Sequence, residues 1–385
     1  MPQTVFITSG GTGGHIIPAR CLAMELASKK TVIFLGDEKI PSYVKVSDTF
    51  VSKVISSSQL KKSPIFLLKA VLKISYGIAQ SLVLFIKHRP QFVVAFGGYA
   101  TFPILIAAVL MRTKIILHEQ NAHLGKVNRI FAPFATKITL SFAQTSGILE
   151  KNISKTVFVG NPVRAEILSL HNKEYLVPEF KNPEIRKDNK MGYNVLLASD
   201  FYEEGASEEL FNILVIGGSG GAKIFSEILP KAFFNLSDEV KSHIKITQQC
   251  RAELKESTFA TYKSFNLNVT IDSFFDNMPE LIAQSHLVIA RSGSSSVFEF
   301  CAAKKPMILV PFALSADNHQ EKNAQYLEKN GAAIVVSEKD FTINNLTDLL
   351  KNLINNRSEL QKLSQNAAKI AVLNATKNLS ELLND

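Results

Sequence analysis

The chain has 385 residues, of which 46% are hydrophobic and 20% charged, and its formal net charge is +9. This composition is typical of a folded globular protein. The length is too great for one ordinary domain, so we expect two domains of roughly 150–200 residues each.

The three cysteines, Cys21, Cys250 and Cys301, lie far apart in the sequence and lack the spacing of metal ligands. We therefore expect reduced thiols in a cytosolic compartment. A strand pattern begins within a few residues of the first methionine, so we expect no signal peptide before it.

The net charge is concentrated in one segment, because no Asp or Glu occurs between Thr49 and His118. A block of one sign indicates nucleic acid, an anionic membrane surface or an anionic ligand as the partner. The positive charge of this segment equals the net charge of the whole chain. It comes from nine basic residues, which are Lys53, Lys61, Lys62, Lys69, Lys73, Lys87, Arg89, Arg112 and Lys114.

The N-terminal sequence predicts a βαβ unit. Residues 5–8 form a strand pattern, residues 9–18 read SGGTGGHIIP, residues 19–26 predict a helix, and residues 31–35 predict the next strand. The glycine loop is not a GxGxxG fingerprint and lacks the lysine of a P-loop. Its spacing alone is a weak signal for an anion-binding loop.

Residues 65–86 are strongly apolar and follow a good helix start at Ser63-Pro64. The run is long enough to raise the possibility of a membrane span. Lysines at the middle of the helix argue against a span and favour a helix lying on an anionic membrane surface. One polar stripe, with spacings of three, four or seven residues, consists of Lys62, Lys69, Lys73, Tyr76, Gln80 and Lys87.

We predict membrane contact through Lys62, Lys69, Lys73 and Phe66. The alternative is a helix that packs on the sheet of its own domain with its lysines in water. The segment lacks the interleaved aromatic residues of nucleic-acid motifs, so we expect no nucleic-acid partner.

Predicted strands at residues 92–96, 114–117 and 157–159 are followed by glycine or polar residues. Such positions lie at the carboxyl edge of an open parallel sheet, where ligands bind. The Asn-Pro pair in GNPVR (160–164) predicts a turn that leads out of a first domain spanning residues 1–163.

Residues 171–210 are polar and lack a period, which predicts an extended connection or insertion. A strand at residues 211–216 then precedes GGSGGAK (217–223), so the opening arrangement recurs 207 residues later. The repetition predicts two Rossmann-like domains, the second spanning residues 164–359. We expect a C-terminal helix, about residues 360–385, to pack back on the first domain.

The stretch HLVIARSGSSSVFE (286–299) predicts a buried strand, a tight turn and a helix that begins with three serines. Free amide groups at a helix start attract phosphate. Glu299 lies one turn beyond Ser295 on the same face, where a carboxylate suits a ribose diol. We predict a nucleotide diphosphate pocket here. The alternative is an ordinary strand-to-helix turn with a solvated glutamate.

The sequence resembles the peptidoglycan N-acetylglucosaminyltransferases of glycosyltransferase family 28 over nearly its whole length. The resemblance rests on eight motifs in the family's order, GGTGGHIIP (10–18), FGGYATFP (96–103), HEQNAHLGKVNR (118–129), GNPVR (160–164), GGSGGAK (217–223), FFDNM (274–278), RSGSSSVFE (291–299) and DNHQEKNA (317–324).

The resemblance implies an α/β protein with the GT-B fold, in which two Rossmann-like domains with parallel sheets face each other across a cleft. It also implies inverting transfer of GlcNAc from UDP-GlcNAc to the 4-hydroxyl of the muramyl sugar of lipid I. The products are lipid II and UDP, in bacterial peptidoglycan synthesis.

By resemblance, Asn121 and Gln320 contact the donor sugar and Glu299 holds the ribose hydroxyls. Arg164 and Ser219 lie near the diphosphate. The remaining residues that the resemblance assigns to the UDP-GlcNAc site are Thr12, Gly13, Gly14, Phe275, Ser294, Ser295, Ser296, Val297 and Phe298. Phe275 replaces a commoner aliphatic residue, and the serine run replaces a mixture of small and apolar residues, so main-chain contacts are the more secure expectation there.

Inverting transfer needs a base for the acceptor hydroxyl and positive potential for the departing UDP. His15 is the candidate base, because it opens a helix and imidazole titrates near neutrality. The alternative is a structural histidine that caps local backbone groups. Glu119 is a rival base that could equally brace its loop. The sequence shows no carboxylate pair spaced for a cation, so we expect neither a metal nor another cofactor.

The expected partners are UDP-GlcNAc, lipid I, an anionic membrane surface and other cell-wall enzymes. The expected location is peripheral, on the cytoplasmic face of the bacterial inner membrane. Two other function classes stay open. One is another GT-B enzyme using a UDP-sugar, such as a glycolipid synthase or an epimerase. The other is a non-catalytic nucleotide-binding membrane adaptor.

Overall fold

The computed structural model describes residues 3–44, 48–59, 64–178, 210–218 and 220–384, without the side chains of Pro64 and Ile65. Lys62, Ser219 and most of the predicted insertion at 171–210 lie outside the described residues. Within them, two parallel sheets of seven and six strands form two Rossmann-like units. The predicted α/β fold class is confirmed.

The first sheet has the order β3-β2-β1-β4-β5-β6-β7, and all its neighbouring strands are parallel. Because the carboxyl ends of parallel strands share one edge, the loops that follow these strands meet there. The strands are β1 (Thr4–Ser9), β2 (Thr31–Gly36), β3 (Val51–Val54), β4 (Phe92–Ala95), β5 (Lys114–Glu119), β6 (Lys137–Leu140) and β7 (Thr156–Phe158).

Helices cover both faces of this sheet, as its nearly continuous apolar strands require. The helix α1 (Gly13–Ala27) packs on one face. The opposite face is covered by α2 (Pro64–His88), α3 (Phe102–Leu110) and α4 (Lys126–Phe131).

The second sheet has the order β10-β9-β8-β11-β12-β13 and is also parallel. Its strands are β8 (Phe211–Ile216), β9 (Ile244–Gln249), β10 (Val269–Asp272), β11 (Leu287–Ala290), β12 (Met307–Leu309) and β13 (Ile334–Val335). The helices of this half are α5 (Ala165–Leu168), α6 (Lys223–Phe234), α7 (Asp238–Ser242), α8 (Lys255–Ser264), α9 (Met278–Gln284), α10 (Ser294–Ala302), α11 (His319–Lys329), α12 (Ile343–Asn355) and α13 (Arg357–Ile370). The last helix, α14 (Ala375–Glu381), packs on the first unit.

The C-terminal sequence forms two helices rather than the one that its pattern predicts. The helix α13 packs in the cores of the second unit, whereas Leu379 and Leu383 enter the core of the first unit beside α1. The link between α13 and α14 passes over Gly160, whose added Cβ would lie 2.4 Å from the Cβ of Val372. Gly160 also has φ +82, so a glycine is required where the chain crosses back.

A buried contact joins the two units. The ring of Phe142, which follows β6, lies 4.7 Å from the ring of Phe298 in α10 and 5.0 Å from that of Tyr326 in α11. Val163, Ile167 and other residues of the connecting segment belong to the same hydrophobic cluster as the second sheet. The aromatic contacts therefore hold the carboxyl-edge loops of the first sheet against α10 and α11.

The helix α2 buries one narrow face and exposes the opposite one. Gly77 packs so closely that an added Cβ would lie 1.9 Å from the carbonyl oxygen of Ser56, and Phe85 is buried. Leu68 and Ile86, on the other face, are each 63% exposed. Among the described residues, the stretch Phe66–His88 is the one helix with the length and hydropathy to cross a membrane.

His118 in β5 is fully buried and engages both ring nitrogens. Its Nδ1 lies 2.9 Å from Oγ1 of Thr139, and its Nε2 lies 3.1 Å from Oγ of Ser141. Burial lowers the pKa of His118 to about 3. At neutral pH the ring is therefore neutral, as its place within the core requires.

We expect this histidine to make the protein less stable in mild acid. Because the unfolded ring titrates near pKa 6.5, only the unfolded state binds this proton between about pH 6.5 and pH 3. The stabilising contribution is present above pH 6.5 and is lost as the pH falls. The expected loss is up to ~1.4 kcal/mol per pH unit for this one site.

Urea unfolding of the His118→Gln variant between pH 7.5 and pH 5 should show a shallower pH dependence than the unaltered chain. Thr139→Val is the matched control, since it removes the hydrogen bond between the Thr139 hydroxyl and Nδ1 of His118 but keeps the titratable imidazole. Its destabilisation should be the same at every pH. Equal pH slopes for the His118→Gln variant and the unaltered chain would contradict the assignment.

Candidate functional site

The glycine loop between β1 and α1 is held from both sides. The N–H of Gly11 donates to Oδ2 of Asp37 at 2.9 Å, and the hydroxyl of Tyr99 donates to the same oxygen at 2.7 Å. The ammonium of Lys39 donates to the carbonyl of Gly11 at 2.7 Å. Sequence reasoning missed Asp37, although its position directly after β2 places it at the carboxyl edge of the sheet.

The start of α1 presents Gly14, which is partly exposed, whereas Gly13 is buried against the ring of Tyr43. Thr12 is the N-cap residue, but its side chain makes no capping hydrogen bond to the backbone. The first turn of this 15-residue helix contains no acidic residue, and the nearby carboxylate of Asp37 is bound to the N–H of Gly11 and the hydroxyl of Tyr99. This geometry favours an anion near Gly14.

His15 lies in the first turn of α1 and is half-buried. Its Nδ1 lies 2.9 Å from Oγ1 of Thr12. Burial, and secondarily the positive potential of His319 from the other unit, lowers the pKa of His15 to about 4. The ring is therefore neutral at pH 7 and has a lone pair that can accept a proton.

Glu119 braces the loop that follows β5. It is 2% exposed, and its Oε1 accepts hydrogen bonds from the backbone N and the Nδ2 of Asn121 at 3.0 and 3.1 Å. Its Oε2 accepts from the N of Gly125 and the Nδ2 of Asn128, both at 2.8 Å. Burial raises the pKa of Glu119, whereas these four donors lower it. The geometry favours the bracing role over the role of base.

Asn121 also contacts the opposite unit. Its Oδ1 accepts a hydrogen bond from the Nδ2 of Asn323 in α11 at 3.1 Å. The same Nδ2 donates to the carbonyl of Ser292 at 3.0 Å, and the Oδ1 of Asn323 accepts from the N of Ala122 at 2.8 Å. The motif containing Asn323 was visible in the sequence, but its role as a bridge was not.

The start of α10 offers main-chain donors. The first helical hydrogen bond runs from the N of Val297 to the carbonyl of Gly293, so the N–H groups of Ser294, Ser295 and Ser296 precede it. The Oγ of Ser295 is buried and has no hydrogen-bond partner among the described residues. The three serines therefore present the features that a phosphate group needs.

Val297 and Phe298 differ from the three serines. Both side chains lie in the hydrophobic core of the second unit, and the N–H of Val297 is already bonded within the helix. Their side chains offer no polar group to a ligand. The predicted contacts of this stretch are therefore physically reasonable only for residues 294–296 and Glu299.

Glu299 is paired with Arg164, the residue predicted beside the diphosphate. The Nε and Nη2 of Arg164 donate to the two carboxylate oxygens of Glu299, each at 2.7 Å. Glu299 is only 5% exposed, so the alternative of a solvated glutamate is wrong. The bidentate pair gives both side chains fixed orientations.

Gln320 lies in the first turn of α11 and links two loops of the second unit. Its Oε1 accepts from the N of Phe312 at 3.0 Å, and its carbonyl accepts from the Oγ of Ser292 at 2.8 Å. Phe275 is half-buried in the loop after β10, at the opposite end of the sheet from β12. Ser219 lies outside the described residues.

The structure therefore brings together most of the predicted side chains at one junction. The helix α1 packs against α10, and His15 lies within electrostatic range of His319. The helix starts give this junction partial positive charge, which suits an anionic diphosphate, and Arg164 is paired with Glu299 in this structure. Among the described residues, no three His, Cys, Asp or Glu side chains cluster as metal ligands. Metal independence stays a prediction.

Comparison with family models gives two matches in the order of the two sheets. Residues 5–140 match the glycosyltransferase family 28 N-terminal domain, and residues 212–381 match the glycosyltransferase family 28 C-terminal domain. The two matches together cover most of the chain.

Curated relatives align with this chain over nearly its full length. A protein from Bartonella quintana is 33% identical over 99% of this chain and 93% of its own length. A protein from Caulobacter vibrioides is 32% identical over 100% of this chain and 99% of its own length. Both are named UDP-N-acetylglucosamine–N-acetylmuramyl-(pentapeptide) pyrophosphoryl-undecaprenol N-acetylglucosamine transferase.

Solved structures show the same fold. MurG from Acinetobacter baumannii aligns with a TM-score of 0.72 and 26% identity, over 100% of this chain and 99% of its own. A UDP-GlcNAc 2-epimerase from Neisseria meningitidis, bound to UDP-GlcNAc, aligns with a TM-score of 0.66 over 100% of both chains, but at 14% identity it shows the fold alone. The resemblance inferred from the eight motifs is confirmed, and the chain belongs to glycosyltransferase family 28.

Proposed function

We propose that this chain transfers GlcNAc, with inversion, from UDP-GlcNAc to the 4-hydroxyl of the muramyl sugar of lipid I, releasing UDP and lipid II. The observation that carries the proposal is the packing of α1 against α10, with the ion pair of Arg164 and Glu299 beside it and His15 within electrostatic range of His319. The names of the full-length relatives in this family support the same substrates.

The donor would bind mainly to the second unit. The N–H groups of residues 294–296 would hold the diphosphate, and Asn121 and Gln320 would contact the sugar hydroxyls. Glu299 is occupied by Arg164 in this structure, so binding would exchange partners. The diphosphate would take the guanidinium of Arg164, and the ribose diol would take the carboxylate of Glu299. Each charged group would thereby keep a partner, which limits the cost of separating them.

The acceptor hydroxyl would lose its proton to His15 as it attacks the anomeric carbon. If Nδ1 carries the proton shared with Thr12, the lone pair of Nε2 is the acceptor. Two negative charges on a nearby diphosphate would raise the pKa of His15 from about 4 and make it a stronger base. The positive potential at the helix starts and Arg164 would stabilise the departing UDP, with no metal required.

The experiment that tests the proposal incubates the purified chain with UDP-GlcNAc and a soluble lipid I analogue. The expected result is release of UDP that depends on the acceptor, together with a disaccharide-linked lipid. Formation of an epimerised UDP-sugar without acceptor would favour an epimerase. Glycosylation of a diacylglycerol would favour a glycolipid synthase. Binding of UDP-GlcNAc without any UDP release would favour an adaptor.

His15→Ala should lower turnover by ~10² or more in this assay, because it removes the base that accepts the hydroxyl proton. The apparent affinity for UDP-GlcNAc should change little. His243→Ala, which removes an imidazole at the end of α7, should keep full activity. A loss smaller than tenfold with normal folding would remove His15 from the role of base.

We further propose that the enzyme binds peripherally to an anionic membrane, on the cytoplasmic face of the inner membrane where lipid I is available. The exposed apolar face of α2, with residues such as Leu68, Leu72 and Ile86, would lie in the lipid interface. Lys69 and Lys73 are exposed beside that face and would contact anionic headgroups. Phe66, which is 55% exposed, would enter the same interface.

The paired substitution Lys69→Glu with Lys73→Glu should weaken co-sedimentation with anionic vesicles, by ~1 kcal/mol or more for each lysine, because attraction becomes repulsion. Lys351→Glu with Lys362→Glu is the matched control. It changes the net charge equally, on exposed lysines of α12 and α13. Equal vesicle binding by the two paired variants would reject α2 as the contact. Resistance of the unaltered chain to extraction by alkaline carbonate would indicate a span instead.

A further inference from the structure

Asn323 is fully buried and bridges the two units with its side-chain amide. Its Oδ1 accepts from the N of Ala122, and its Nδ2 donates to the Oδ1 of Asn121 and to the carbonyl of Ser292. Both protons of the amide nitrogen are therefore used, one on each unit. The described contacts give no other residue this pattern across the junction.

The contact fixes which way the amide of Asn121 points. On one side, Oε1 of Glu119 accepts from the Nδ2 of Asn121 at 3.1 Å. On the other side, Asn323 donates to its Oδ1 at 3.1 Å. If the amide of Asn121 rotated by half a turn, its oxygen would face a carboxylate and its nitrogen would face an N–H donor. One proton on the Nδ2 of Asn121 and one lone pair on its Oδ1 remain available to a ligand, and both point in fixed directions.

The position of Asn323 in α11 also relates Asn121 to Gln320. Asn323 follows Gln320 by three residues, so the two lie on neighbouring positions of one helix face. The carbonyl of Gln320 accepts from the hydroxyl of Ser292, whose own carbonyl accepts from Asn323. The side-chain amide of Asn121 is thus joined, through Asn323 and Ser292, to the backbone carbonyl of Gln320.

We propose that Asn323 is a positioning residue for sugar recognition, which orients the amide of Asn121 and sets its distance from Gln320 only when the two units are in contact. The inference rests on the proposed function, because it assigns the sugar hydroxyls to Asn121 and Gln320. Its consequence is selectivity, since an amide of fixed orientation distinguishes a donating hydroxyl direction from an accepting one.

Other contacts hold the two units together without touching the amide of Asn121. Phe142 packs against Phe298 and Tyr326, and Arg129 pairs with Asp317 at 2.7 Å. These contacts should keep the junction assembled when Asn323 is altered. The effects on sugar binding can therefore be separated from those on folding.

The test measures transfer kinetics and, by calorimetry, the binding of UDP-GlcNAc and of UDP to the full chain. Asn323→Asp keeps the shape but places an acceptor against the Oδ1 of Asn121 and the carbonyl of Ser292. The expected result is UDP-GlcNAc affinity lowered by at least about tenfold, with UDP affinity within about twofold of the unaltered chain. The preference for UDP-GlcNAc over UDP-GalNAc should fall by about tenfold as well.

A double-mutant cycle tests whether Asn323 acts through Asn121. The loss of UDP-GlcNAc affinity in the Asn121→Ala with Asn323→Ala variant should be smaller, by at least about fivefold, than the product of the two single losses. Asn366→Ala is the control, since it removes an amide that donates to the carbonyl of Gly331 in the same unit at 3.1 Å. It should bind both ligands normally.

Two outcomes would overturn the inference while leaving the proposed function in place. One is an equal loss of affinity for UDP and UDP-GlcNAc in the Asn323→Asp variant. The other is additive losses in the cycle. Absence of UDP-GlcNAc binding by the unaltered chain would overturn the proposed function and the inference together. If the Ala variants unfold, the ligand comparison on Asn323→Asp, with its melting temperature, decides the question.

Discussion

The carboxyl edges of two parallel sheets meet at a junction where Phe142 inserts between Phe298 and Tyr326, and Asn323 closes the polar side of the same contact. The features of the candidate site that involve both units depend on this packing. Parallel strands deliver their loops to one edge, so each unit alone presents half of a site. The aromatic contact excludes water, which strengthens the hydrogen bonds and ion pairs beside it.

The charged groups near the junction divide by function. Asp37 and Glu119 are buried, and their carboxylates accept hydrogen bonds from backbone and side-chain donors. Asp37 thereby holds the glycine loop in place, and Glu119 holds the loop after β5. The starts of α1 and α10 have no acidic residue in their first turns and supply positive potential, whereas the charge of Arg164 is balanced by Glu299 in this structure. That arrangement attracts a diphosphate and leaves neutral His15 beside it. The buried carboxylates therefore fix the conformation of the loops, and the main-chain dipoles of the helix starts attract the diphosphate.

The helix α2 has one face that packs on the protein and an opposite face that is apolar and exposed. Its packing side is narrow because Gly77 lies against the backbone of Ser56, so the helix approaches closely while burying few large side chains. Large apolar residues are left on the outer side, with lysines along its border. A globular domain rarely leaves so much apolar surface exposed unless another surface covers it. The basic border is the reason for choosing an anionic membrane.

The sequence by itself determined the two parallel sheets, the glycine loops and the helix start at Ser294, because apolar runs and glycine positions act over a few residues. The strands β3, β6, β9 and β13 were not predicted. Three of them have only two to four residues, which carry little periodicity, and β9 ends in polar residues that do not read as a buried strand. Only the tertiary structure decided that Glu299 pairs with Arg164, that Glu119 braces a loop and that Asn323 orients Asn121. These partners lie up to about 200 residues apart, and no local pattern records which distant group meets a side chain once two domains pack.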